Sequence, residues 1–160
     1  MEVQFQETMK KSVGIVSHFL NNNFMETFLD HIAIAVKDIE DSIKIYEALG
    51  LQFSEHREVV ESQGVKTAFA KVDQKAKIEL LESISDDSSI AKFIKKRGEG
   101  IHHLCFRVAD LKSKQVDLEA KGFVFTSKKP FEGADSCLVN FIHPKSTGGT
   151  LIELSQKLKG

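Results

Sequence analysis

The chain has 160 residues, 41% apolar and 28% charged, with 22 Lys+Arg against 23 Asp+Glu and a net charge of −1. This composition excludes a disordered chain, and without a basic excess there is nothing to neutralise a phosphate backbone, so no nucleic-acid partner is expected. No apolar run reaches the ~20 residues of a membrane-spanning helix. The two cysteines, Cys105 and Cys137, lie outside any C-x-x-C motif, so a reducing, cytoplasmic setting is expected rather than a disulfide scaffold.

Residues 1–27 read as a helical extension, docked on the domain or on a second subunit and ended by Asn21-Asn22-Asn23. Gly14, Ser17 and His18 break its apolar run, which argues against a signal peptide, and Glu2, Glu7 and Glu26 argue against a mitochondrial presequence. From Asp30 to Val36 polar and apolar residues alternate as in a strand. Asp38 then caps a helix with Ile39, Ile43, Tyr46 and Leu49 on one face, stopped by Gly50. Strands are expected near 52–60, 65–72 and 76–82, and a linker helix over about 87–97 with Ile90, Phe93 and Ile94 turned inward. Further on, strands are expected near 101–108, 123–127, 136–142 and 150–155, with a helix over 111–121.

The second half repeats the first. A shift of 72 residues places His31 on His103, Val36 on Val108, Asp38 on Asp110, Gly50 on Gly122 and Phe53 on Phe125. A shift of 74 places Ile78-Glu79-Leu80 on Ile152-Glu153-Leu154. The expected fold is α+β: two tandem βαβββ modules, about 28–85 and about 100–156, in one domain spanning 28–156.

Strand alternation sorts the polar residues, because side chains two apart share a sheet face. Ile32, Ile34 and Val36 pack under the helix, so His31 lies on the opposite face; His103, Glu79 and Glu153 follow the same parity. A carboxylate inside an apolar strand is costly to bury alone. Two of them, each matched by a strand histidine, suggest one shared divalent cation held by His31, Glu79, His103 and Glu153. By the same parity His102 points to the other face and does not ligate, so His102→Ala is expected to keep metal and activity. His18 and His56 read as surface or packing residues.

These residues carry a resemblance. Two βαβββ modules with His…Glu…His…Glu resemble the vicinal oxygen chelate superfamily (glyoxalase, bleomycin resistance protein, dioxygenase). Gln63-Gly64-Val65, Gly98-Glu99-Gly100-Ile101-His102-His103 and the run from His143-Pro144-Lys145-Ser146-Thr147-Gly148-Gly149 to Ile152-Glu153-Leu154 are similar to the methylmalonyl-CoA epimerase family within it. The resemblance covers about residues 29–156. It implies a cupped, mixed eight-stranded sheet around the metal and an acyl-CoA substrate. Its reaction is metal-assisted epimerisation of methylmalonyl-CoA at C2 through an enolate. It favours cobalt, with Zn, Mn, Ni or Fe also compatible with the donor set, and a homodimer.

Inversion at C2 needs a proton acceptor on one face and a donor on the other. Glu153 and Glu79, related by the internal repeat, are the expected pair. Gln63 and the loop residues Lys145, Ser146, Thr147, Gly148 and Gly149 are expected at the substrate. Some relatives carry a carboxylate base shortly after Gln-Gly-Val; here those positions are Lys66 and Thr67, so that role does not transfer. The alternatives are a lactoylglutathione lyase-like isomerase, an extradiol dioxygenase, which uses only three protein ligands, and a metal-free binding module.

Overall fold

The structure, a computed structural model, describes residues 27–158. The expected N-terminal helix and His18 lie outside the described residues. In chain order the elements are β1 (Phe28–Val36), α1 (Ile39–Ala48), β2 (Glu58–Val60), β3 (Val65–Lys71), β4 (Lys77–Ser83), α2 (Ser89–Arg97), β5 (Gly100–Arg107), α3 (Leu111–Ala120), β6 (Phe131–Gly133), β7 (Cys137–Ile142) and β8 (Ile152–Lys157). The strands form one mixed sheet in the order β2-β3-β4-β1-β5-β8-β7-β6. β1 runs parallel to β4 and β5 parallel to β8, while β1 and β5 meet antiparallel at the centre. The sheet curls until its two edges approach. There the Asp135 N–H donates to the Glu58 carboxylate (2.9 Å), and Lys77 pairs with Asp135 (3.2 Å).

The duplication is visible in the caps. Asp38 accepts from the Asp41 N–H and Asp110 from the Ser113 N–H, each worth about 1 kcal/mol of helix stability. The first helical N–H groups, of Ile39 and Leu111, donate to the side chains of Glu82 and Gln156. Gly50 (φ 93°) and Gly122 (φ 88°) supply the left-handed step that ends each helix.

Each module buries its convex face under its own helix. Val36, Ile39, Ile43, Ala68 and Leu80 form one core, and Val108, Leu111, Ile142 and Leu154 the other. The linker helix α2 breaks the symmetry. Its Ile90, Phe93 and Ile94 pack on Ala33, Ala35, Val65 and Leu81, plugging one end of the concave face.

The strands expected near 52–60 and 123–127 are mostly absent. Phe53 and Phe125 each make one isolated bridge, to Ala70 and Ile142, and pack in the helix-side cores. Edge pairing resumes only at the three-residue strands β2 and β6. The apolar pattern reported the two phenylalanine anchors, not a continuous ladder.

Candidate active site

The concave face encloses a cavity of about 610 Å³ whose walls include His31, Glu79, His103 and Glu153. The pairing register shows why four residues from two modules meet there. Across the central β1–β5 pair His31 faces Cys105 and Ala33 faces His103, two pairs that a shift of 72 interchanges. The pseudo-twofold axis therefore passes between them. On either side, Ala33 pairs with Glu79 and Cys105 with Glu153, again equivalent positions.

All four residues are buried, none more than 6% exposed. His31 Nε2 lies 3.1 Å from Glu79 Oε2 and 3.9 Å from Glu153 Oε2. His103 Nε2 lies 2.9 Å from Glu153 Oε2 and 4.0 Å from Glu79 Oε2, and the two Nε2 atoms are 3.4 Å apart. Donors at about 2.0–2.2 Å from a central divalent ion stand roughly 3–3.5 Å from their neighbours. The donor set and its spacing therefore fit a divalent cation. His31, His103 and Glu153 alone already make a compact potential metal-binding triad.

The histidines are held by their other ring nitrogens. His31 Nδ1 is 2.9 Å from Asp30 Oδ2, and Asp30 is gripped in turn by the Arg107 guanidinium (2.8 and 3.2 Å). His103 Nδ1 is 2.9 Å from His102 Nδ1. Asp30 and His102 are 72 residues apart, and the β1–β5 register slips at both: between Leu29 and His31, and where Ala33 and Ile34 face His103 and Ile101. Each thus occupies a β-bulge, which re-aims its side chain beside the neighbouring histidine. This corrects the parity expectation for His102, which lines the cavity rather than facing away.

Burial would raise the Asp30 carboxyl. Hydrogen bonds from His31 and Arg107 and the charges of Arg107 and Lys77 outweigh it and hold the group well below its ordinary value. Burial opposes a charge on His31, yet the Glu79 carboxylate and the Asp30 hydrogen bond hold its pKa well above 6.5. His102 is the opposite: burial and the neighbouring His103 push it down to about 4. A neutral His102 has an Nδ1 lone pair to accept the Nδ1–H of His103, which leaves the His103 Nε2 lone pair for a cation. Burial would also raise Glu153, but its hydrogen bond to His103 and the two imidazole charges hold it below its ordinary value, so it is ionised at neutral pH. Burial pushes the Cys105 thiol up to about 12. Cys105 therefore stays protonated against Glu153 Oε1 (3.4 Å) and Ser155 Oγ (3.2 Å). Phe69 and Phe141, another pair 72 apart, stand edge-on to His31 and His103.

Asp30→Asn and His102→Ala are each expected to weaken divalent-cation binding about 10- to 100-fold, the usual effect of losing a partner that orients a metal-binding histidine. Calorimetric titration with Co²⁺ measures this. A proton held on His31 must leave when a cation binds, so wild-type affinity rises with pH until His31 is neutral in the metal-free chain. Asp30→Asn, which removes an anion favouring that proton, ends the rise at a lower pH.

Of the other expected site residues, Gln63 lines the cavity from the end of the short turn Glu61–Gln63. Lys145, Ser146, Thr147, Gly148 and Gly149 are not among the cavity walls. Their loop folds back on itself: Ser146 Oγ accepts from the Val124 N–H and His143 Nδ1 from the Lys145 N–H. Asp30, Lys77, Arg107 and Thr67 also line the cavity without having been singled out as site residues. Asp30 was within reach, since it precedes His31 as His102 precedes His103.

A duplicated βαβββ cup with paired His and Glu donors defines a class, and residues 30–141 match the Glyoxalase/Bleomycin resistance protein/Dioxygenase superfamily. The chain is 38% identical over 130 residues to the mitochondrial methylmalonyl-CoA epimerase of Homo sapiens, covering 80% of this chain and 73% of that one. It is similar to the crystal structure of methylmalonyl-CoA epimerase from Mycobacterium tuberculosis, with a TM-score of 0.77, 38% identity, and 82% and 88% of the two chains covered. It is also similar to a Streptomyces coelicolor methylmalonyl-CoA epimerase variant in complex with 2-nitronate-propionyl-CoA, with a TM-score of 0.78, 34% identity, and 82% and 97% covered. The chain belongs to this superfamily and, within it, to the family of the methylmalonyl-CoA epimerases.

Proposed function

We propose that the chain is an isomerase that interconverts (R)- and (S)-methylmalonyl-CoA by removing and returning the C2 proton. The observation that carries this reading is the convergence of His31, Glu79, His103 and Glu153 on one buried point, with the two carboxylates on strands that flank the two histidine strands. In this reading those four residues hold one divalent cation. When bound, the cation supplies Lewis acidity at the thioester and carboxylate oxygens, which lowers the cost of forming the enolate.

The chain's own groups do the rest. The Glu153 carboxylate, ionised at neutral pH, accepts the C2 proton on one face. Glu79, its counterpart across the pseudo-twofold, serves the other face as donor, and the roles exchange in the reverse direction. Phe69 and Phe141 exclude water around the acyl group. Gln63, in the cavity wall, contacts the substrate, and the loop containing Lys145, Ser146, Thr147, Gly148 and Gly149, outside the cavity walls in the free chain, closes over it when substrate binds.

Cobalt as the metal, a cytoplasmic location and a homodimer belong to the same proposal. Two imidazoles and two carboxylates suit a first-row divalent ion. Cys105 and Cys137 are both free thiols, as a reducing compartment keeps them. Exposed Ile45 on α1 and Leu49 just after it are apolar surface for a second copy to cover. No helix among the described residues is long and apolar enough to cross a membrane.

The test supplies one pure epimer of methylmalonyl-CoA to the Co²⁺-loaded protein and follows the stereochemistry at C2. Drift to a mixture of both epimers supports the proposal. A persistent single epimer contradicts it, and turnover of a glutathione hemithioacetal instead would favour the lyase.

A further inference from the structure

Thr67 is an anomaly in the cavity wall. It is 1% exposed, and its Oγ1 is buried with no hydrogen-bond partner among the described residues. Every other buried side-chain N or O atom among the described residues has a partner. A buried, unsatisfied hydroxyl is destabilising, and a valine of the same shape would suit its surroundings, since Val60, Val65, Leu81 and Ile90 line the same end of the cavity.

Register places this hydroxyl beside the polar centre. On β3, Val65, Thr67 and Phe69 share the cavity face, while Ala68 packs in the helix-side core. Phe69 pairs with Glu79 and Thr67 with Leu81, so Thr67 is the diagonal neighbour of Glu79 on the same face. Such neighbours are about 7–8 Å apart, a gap of the size of a small acyl group. Rotation about χ1 exchanges Oγ1 and Cγ2 between staggered positions, so the hydroxyl swings between wall and cavity with no change of backbone.

We infer that Thr67 is a substrate-binding residue whose hydroxyl donates to an oxygen of the acyl group bound at the Glu79 side of the site. The inference rests on the proposed epimerase reading and deepens it: the free chain keeps an unpaired donor that the substrate satisfies. Thr67 then orients the plane of the acyl group so that C2 presents its proton to a carboxylate.

Thr67→Val and Thr67→Ser separate this from a structural role. Thr67→Val is expected to melt at or above the wild-type temperature and to bind Co²⁺ normally, because it removes an unpaired polar atom from an apolar wall. Its kcat/KM for methylmalonyl-CoA is expected to fall about 10- to 100-fold, the loss of a hydrogen bond to a polar or charged acceptor, and Thr67→Ser to restore most of it. Binding of propionyl-CoA, which lacks the carboxylate, locates the acceptor. Affinity lost for methylmalonyl-CoA alone assigns the carboxylate; affinity lost for both assigns the thioester carbonyl. Wild-type kinetics in Thr67→Val, or a lower melting temperature showing that the hydroxyl is satisfied within the fold, overturns the inference. A wild-type protein that binds Co²⁺ but does not epimerise overturns the functional reading and this inference with it.

Discussion

Glu153→Gln is expected to lower epimerisation of methylmalonyl-CoA by at least about 10²-fold, the usual loss on removing a general acid or base, while the fold and most of the metal remain. Glutamine keeps the length of the side chain and one ligating oxygen but not the basicity. The carboxylate it replaces is ionised at neutral pH because His103 and His31 stabilise its charge against the effect of burial. The loss is expected to be one-sided. If Glu153 and Glu79 each serve one face of the substrate, Glu153→Gln still exchanges the C2 proton of the epimer that faces Glu79, and Glu79→Gln shows the complementary pattern. Single-turnover exchange of each epimer in D₂O measures both. Equal loss for both epimers in either variant would make that glutamate a ligand only and place the second proton carrier elsewhere.

His103→Ala is expected to abolish both tight divalent-metal binding and turnover, and His31→Ala to do the same. Each removes a buried imidazole within 3.1 Å of a carboxylate oxygen and leaves that oxygen facing its symmetry mate with less compensation. The effect on the fold differs from the effect on the site. The helix-side cores do not include the histidines, so the variants should remain folded at neutral pH. Metal content after dialysis, with circular dichroism as the control for folding, checks this. A His103→Ala protein that retains one equivalent of tightly bound Co²⁺ would show that the four donors are not the metal centre.

Much of this site was legible in the sequence because the chain states it twice. The shift of 72 aligned His31 with His103, the shift of 74 aligned Glu79 with Glu153, and strand alternation put all four on one face. The β1–β5 register then joined them as the symmetry requires. Alternation failed at Asp30 and His102, because a β-bulge adds a residue without advancing the pairing and so breaks the period of two. No pattern of apolar residues signals that event. The edge strands were misjudged for a related reason: Phe53 and Phe125 are buried by packing under a helix, which leaves the same mark in a sequence as burial within a ladder. Thr67 stood out in the sequence only as a position where some relatives carry a carboxylate; its unpaired hydroxyl is a property of what surrounds it and leaves no mark in the sequence.

The most direct measurement of the central claim is hydrogen–deuterium exchange at C2 of methylmalonyl-CoA in D₂O, with the wild-type chain loaded with Co²⁺, after chelation, and after Co²⁺ is restored. Rapid exchange that stops on chelation and returns with the metal is the expected result. Exchange that persists at full rate without metal, or its absence from a folded, fully loaded protein, would contradict the assignment of His31, Glu79, His103 and Glu153 as the centre of an epimerase.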